Sequence, residues 1–171
     1  STGSCNKLNV YNWLTDMVLP EDYEPFNIVE VRFKGSKKQF YKNVNHLELY
    51  TGDKVIVDSD IGYDVGEVSL AGELVKLHLK KHGVDENNSE MRTIRSIANK
   101  DEIEKYEKFK AIEQKSLEQA RTIALQLRLK MKISDIEYQG DGKKITFYYT
   151  SEGRVDFREL IRRYASEFKS R

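Results

Sequence analysis

Between Asn99 and Met131 apolar residues recur every three or four positions: Ile103, Tyr106, Phe109, Ile112, Leu117, Ala120, Ile123, Ala124, Leu127 and Met131, with one looser step before Leu117. This spacing predicts an amphipathic helix of roughly thirty residues, long for a globular protein. Asn99 and Glu102 have the form of a capping box at its start, with asparagine in the serine or threonine position. Arg128, Lys130 and Lys132 at the far end complement the helix dipole. A helix of this length needs a sheet or other helices to cover its apolar stripe, and the flanking segments read as strands.

Upstream, residues 28–97 form a series of short alternating runs. IVEVRFK sends Val29, Val31 and Phe33 inward and Glu30, Arg32 and Lys34 outward. KQFYKN, GDKVIVDS with Val55 and Val57, and the run carrying Val65 and Val68 continue the set. ELVKLHLKK, with Val75, Leu77 and Leu79 on one face, and MRTIRSIA complete it. Short strands separated by Gly/Asp turns predict a small β-barrel or rolled sheet. Downstream, ISDIEYQ and KITFYYT flank Gly140-Asp141-Gly142, a hairpin signal. The last element predicts a helix, with Asp156 as N-cap, Glu159 closing a capping box and Val155 and Leu160 as staple. Its expected buried stripe is Phe157, Leu160, Ile161, Tyr164 and Phe168, with Arg158, Arg162 and Lys169 opposite. The expected class is α+β: an N-terminal arm over 1–27, a β-rich lobe over 28–98, and a helix–hairpin–helix lobe over 99–171. In the arm, Val10, Trp13, Leu14 and Met17 have helical spacing, with Trp13 as an anchor to the body.

Charge is balanced, 29 basic against 28 acidic residues in 171, so a nucleic-acid footprint requires local clustering. The single cysteine, Cys5, forms no internal disulfide and holds no cluster or zinc alone. His78 and His82, read on a strand, lie too far apart to share a metal, and no metal site is expected. GxSxG, P-loop, HExxH and GxGxxG patterns are absent, and no nucleophile–base pairing emerges, so the chain is expected not to be an enzyme. The lone cysteine, the lack of a signal-peptide pattern and the lack of a ~20-residue apolar run favour a cytoplasmic protein without membrane insertion.

Gly62 and Gly66 in DIGYDVGEV are expected to supply positive φ or close packing at a turn and bulge. The segment EGRVDFREL draws attention to Arg154, Arg158 and Arg162. Arg158 and Arg162 are like charges one turn apart, and all three arginines lie near the positive end of a helix dipole. An anionic partner, or nearby acids, would account for them. Lys143 and Lys144, and Lys130 and Lys132, extend the same basic patch, with Tyr148 as a stacking surface. Lys34, Lys37, Lys38 and Lys42 form a second basic cluster.

YTGDKVIVDSDIGYDVGEVSLAGELV, the capped long helix, and LKMKISDIEYQGDGKKITFYYTSEGRVDFRELIRRYASEF together resemble the PSP-type C-terminal domain family, with its RicT/YaaT-like bacterial regulatory proteins. The resemblance runs from about residue 28 to 169 and is most specific in FYYTSEGRVDFREL. It implies a regulatory scaffold in a cytoplasmic complex with other protein subunits, one that carries iron–sulfur clusters and supports a ribonuclease in messenger RNA processing. The family's cluster-associated cysteines lie beyond the last helix, so the resemblance assigns no iron–sulfur ligand to any residue of this sequence. The leading expectation is a protein-binding regulatory scaffold. The alternative is direct single-stranded RNA binding through the basic face around the C-terminal helix.

Overall fold

The computed structural model describes residues 26–168. The arm up to residue 25, with Cys5 and Trp13, and Lys169 lie outside the described residues. The rest is α+β and divides into two compact units: 26–59 with 65–98, and 60–64 with 99–168. The short segment 60–64, counted with the second unit, is a departure from the expected division at residue 98.

The first unit holds β1 (Ile28–Arg32), β2 (Lys38–Lys42), β3 (Lys54–Asp58), β4 (Tyr63–Leu70) apart from its first two residues, α1 (Val75–Lys81) and β5 (Ile94–Ile97). The strands form one sheet in the order β2-β1-β4-β3-β5. It is open, not a closed barrel. Its two edge strands approach through a single parallel bridge, Lys42 to Thr93. Val29, Val31, Val55, Val57, Val68 and Ile94 bury their branched side chains on one face, as alternation requires. Gly66 lets strands approach closely: a Cβ there would lie 2.3 Å from Val31 Cγ1.

Two expectations fail in this unit, for one reason. ELVKLHLKK is a helix, α1, with Val75 and Leu79 buried four apart and Leu77 64% exposed. Both periods are present in that short run, and covering Ile28 and Leu70 on the second sheet face favours the helix. Glu30, read as outward, is buried on that same face. Its carboxylate accepts the Ser69 hydroxyl at 2.7 Å, lies 2.6 Å from His78 Nδ1 on α1 and 3.7 Å from Lys38 Nζ on β2. Burial alone would raise its pKa. The hydrogen bonds from His78 and Ser69 and the charges of His78 and Lys38 outweigh burial and hold it below the usual value.

The second unit is built on α2 (Lys100–Gln126), β6 (Met131–Tyr138), β7 (Ile145–Ser151) and α3 (Arg158–Glu167). The α2 cap is a capping box: Glu102 N donates to Asn99 Oδ1 at 2.8 Å and Asn99 N donates to Glu102 Oε1 at 2.9 Å. The loose step in the apolar stripe is filled by polar residues. Glu113 and Ser116 are buried, while Ile112 is exposed. Glu113 accepts the Tyr138 amide at 2.8 Å and Ser116 Oγ meets the Tyr138 hydroxyl at 2.8 Å, so both fasten the end of β6 to the helix. The helix stops earlier than its spacing predicts. Arg128 takes φ of 55° and Met131 already begins β6, so the basic residues expected in the last helical turn lie beyond it.

β6 and β7 form an antiparallel hairpin with a bulge at Ile133/Asp135. Ile133, Ile136 and Tyr138 join Leu117, Ala120, Ile123, Leu160 and Tyr164 in the core. Tyr164 donates its hydroxyl to Ala120 O at 2.7 Å and stacks on Phe147 at 4.4 Å; burial pushes its pKa up to about 12. At the hairpin turn Asp141 is only 3% exposed. Its carboxylate accepts from Tyr63 N, Gln139 Nε2 and Lys143 N at 2.9–3.0 Å. Gln139 Nε2 also donates to Ile61 O at 2.6 Å, and Gly140 N donates to Asp64 Oδ1 at 2.8 Å. The hairpin turn thereby clasps segment 60–64. Gly62, at φ of 70°, is part of the clasp: a Cβ would fall 2.0 Å from Asp141 Oδ2.

Candidate partner-binding surface

The basic patch expected around Arg154, Arg158 and Arg162 is divided by the fold into three environments. Lys143 and Lys144 sit at the hairpin turn, while Arg154 follows the other end of β7. Six residue steps of strand separate these ends, about 20 Å. At the open end, Lys130, Lys132 and Arg154 line one groove of about 750 Å³ with Thr150, Ser151 and Glu152. None of these three cations forms an ion pair among the described residues. The remaining two, Arg158 and Arg162, lie on α3.

Arg158 and Arg162 each pair with an acid of their own segment, while Arg163, the third α3 arginine, donates to Gln126 Oε1 at 3.1 Å. Arg158 NH2 binds Asp156 Oδ2 at 2.7 Å and its Nε reaches Asp156 Oδ1 at 3.0 Å. Arg162 NH1 binds Glu159 Oε2 at 2.9 Å. This corrects the expected capping box. The helix starts one residue later than that reading requires, with Phe157 at the N-cap position and no side-chain cap bond. Asp156 instead accepts the Arg158 amide two residues on at 3.1 Å, and Glu159 serves Arg162 rather than the cap. The charges that oppose the dipole at this end are thus offset by adjacent acids.

The Arg158 hydrogen bonds, side chain and then backbone, hold the Asp156 carboxyl down at about 2, against an ordinary 3.8. A folded pKa below the unfolded one means the interaction is complete above pH 3.8 and is lost as pH falls through about 2. A carboxyl-detected NMR titration is expected to place the Asp156 midpoint near 2 in the wild type and to move it up in Arg158→Gln, short of 3.8 because the residue 158 amide still donates. An unshifted wild-type midpoint would show the fork does not persist in solution.

Tyr148 is exposed, but it faces acidic neighbours. It pairs with Asp135 across the strands and its hydroxyl donates to Glu137 at 3.1 Å. Two carboxylates thus flank the exposed ring. The other surface is apolar. Ile145, Phe147, Ile161, Tyr164, Ala165 and Phe168 line a groove of about 290 Å³ between β7 and α3, with Lys143 at its rim. Ile161, expected in the buried stripe, is 65% exposed there. It lies one position after buried Leu160, so the core takes Leu160 and Tyr164 and leaves Ile161 on the groove wall. The sequence reading missed this groove because it counted Ile161 and Phe168 with Leu160 and Tyr164 as buried.

Among the described residues no group of three or more His, Cys, Asp or Glu side chains could hold a metal, and none fits an iron–sulfur cluster. No helix among them is long and apolar enough to cross a membrane. A capped long helix, a clasped hairpin and a short helix with surface grooves define an α+β domain of helix–hairpin–helix type. Residues 92–171 match the PSP1 C-terminal conserved region. The chain is 30% identical over 146 residues to Stage 0 sporulation protein YaaT of Bacillus subtilis, covering 85% of this chain and 50% of that protein. It is 32% identical over 168 residues to an uncharacterized Schizosaccharomyces pombe protein, covering 85% of this chain and 22% of the other. A stretch of 44 residues is 48% identical to Protein PSP1 of Saccharomyces cerevisiae. The match of residues 92–171 and the similarity to YaaT support a PSP1-type, YaaT-like family for this chain. The chain spans half or less of the length of these relatives. No solved structure matches it.

Proposed function

We propose that this chain is a non-enzymatic regulatory scaffold that binds a partner protein through the β7–α3 groove. The family match, with a sporulation protein among the relatives, supports a regulatory role. The observation that carries the choice of partner is the pairing of an apolar groove walled by exposed Ile161 with arginines already satisfied by their own acids. An apolar patch rimmed by charge suits a protein surface, whereas single-stranded RNA needs a continuous cationic stripe with available aromatic faces. The partner is expected to belong to a cytoplasmic complex that acts on messenger RNA through a ribonuclease, with no cofactor supplied by this chain.

The test is capture of partners from lysate with wild type, Ile161→Asp, and the Arg158→Glu/Arg162→Glu double variant, each with and without nuclease. A stoichiometric protein partner is expected that survives nuclease, persists with the arginine variant and disappears with Ile161→Asp. Loss of all bound material on nuclease treatment would instead favour the RNA-binding alternative.

A further inference from the structure

The two edges of the β6–β7 sheet are finished differently. On the β6 side, backbone groups meet side chains of α2: the Tyr138 amide donates to Glu113 at 2.8 Å, and the Ile133 carbonyl accepts from Arg121 at 2.9 Å. A backbone group bonded outside the sheet does not point at β7, so Tyr138 and Ile133 occupy the non-bonded positions of the ladder. Their opposite numbers are Ile145 and Tyr149, with Phe147 midway between them. The N–H and C=O groups of Ile145, Phe147 and Tyr149 therefore point away from β6. The sheet has two strands, and among the described residues nothing is hydrogen-bonded to these groups on that side.

Folded proteins protect such an edge with charge, with proline or with a cover. β7 reads ITFYYTS and contains no charged residue and no proline. Its open edge adjoins the apolar groove. Ile145 and Phe147 line the groove with Ile161, Tyr164 and Ala165 of α3. Phe147 stacks on Tyr164 at 4.4 Å, and Tyr149 meets Phe157 edge-on at 4.9 Å. The residues whose backbone is open are thus the ones whose side chains reach α3 and its start. A helix laid in the groove would cover the apolar wall and leave the three amides without acceptors. An added strand answers both, because its side chains alternate and every second one faces α3.

We propose that the partner docks as a β-strand: an extended segment of the partner protein pairs with the open edge of β7 and sets alternate apolar side chains in the β7–α3 groove. Main-chain bonds then supply affinity and the groove selects the side chains. Lys143 is the one charged residue in the groove lining, so the segment needs little charge of its own. This strand pairing rests on the reading of the groove as the partner site and adds the form that the partner takes there.

The test is amide hydrogen exchange, read by NMR on the full chain, with a terminally blocked heptapeptide of alternating valine and threonine as the probe. Saturable binding is expected to slow exchange at the Ile145, Phe147 and Tyr149 amides about tenfold or more, and to leave Thr146 and Thr150, already turned toward β6, unchanged. Two further peptides are N-methylated on the valines alone or on the threonines alone. One should bind about tenfold or more weakly and the other should still bind, because only every second amide of an added strand faces β7. Ile161→Asp should abolish binding with circular dichroism unchanged. Absence of saturable binding, protection without alternation, or equal loss from both methylated peptides would overturn the strand. A chain that dimerises with the same three amides protected would make a second copy the occupant and overturn the partner segment. Capture of a protein that needs Ile161 yet leaves the three amides exchanging would overturn the strand while the groove reading stands. Capture indifferent to Ile161 would remove the groove reading itself, and the partner strand with it.

Discussion

Asp141→Ala is expected to destabilise the second unit by about 3 kcal/mol, because three donors lose a shared buried acceptor. Two of them, the Tyr63 and Lys143 amides, are backbone groups that no rotamer change can redirect. The third, Gln139 Nε2, retains Ile61 O. Asp141→Asn should cost less, since one amide oxygen still accepts, but its NH2 group then faces donors. Urea denaturation measures both, and hydrogen exchange at the Tyr63 amide should quicken in Asp141→Ala. Unchanged stability would mean that the clasp on segment 60–64 contributes nothing to folding.

Gly142→Ala is expected to be as damaging, at about 3 kcal/mol, from a core clash together with a left-handed backbone. Gly142 sits at φ of 75°, and a Cβ there would fall 2.1 Å from Phe109 Cζ on α2. The two causes can be separated. Gly83 has a similar φ of 66° with nothing within 4 Å, so Gly83→Ala should show only the backbone part, about 1 kcal/mol. Phe109→Leu should recover some of the Gly142→Ala loss by opening space. Equal costs for the Gly83 and Gly142 variants would remove the close approach of α2 from the explanation.

What could be read without coordinates was local. The Asn99–Glu102 cap, the second half of the α2 stripe from Leu117 to Ala124 and the Gly-Asp-Gly turn each depend on residues within one element, and each has its expected place. What could not be read depended on distant partners. Glu30 is buried because Ser69 and His78, 39 and 48 residues away, satisfy it. Asp141 is buried because a turn 78 residues earlier presents the Tyr63 amide. Glu113 takes a core position that apolar spacing skips, since only the fold brings the Tyr138 amide to it.

The basic surface failed for a related reason. Sequence proximity joined Arg154, Arg158 and Arg162 to Lys143 and Lys144, but a strand carries the lysines to the opposite end of the hairpin. Neighbouring acids then claim two of the arginines. Lys130 and Lys132 reach Arg154 only because α2 ends at Gln126 and the chain reverses into β6. Ile161 was legible as apolar, and its exposure was not, because helical spacing alone does not say how wide a stripe the core accepts.

The central claim is that an apolar groove, not a cationic face, holds the partner. Its most direct test is the salt dependence of binding between this chain and the captured partner. Exposed ion pairs are screened and phosphate contacts release counterions, whereas apolar contacts respond weakly to salt. Across roughly a tenfold rise in salt the affinity is expected to change less than about threefold. A fall of about a hundredfold or more over the same range would contradict the account and return the function to the arginine face.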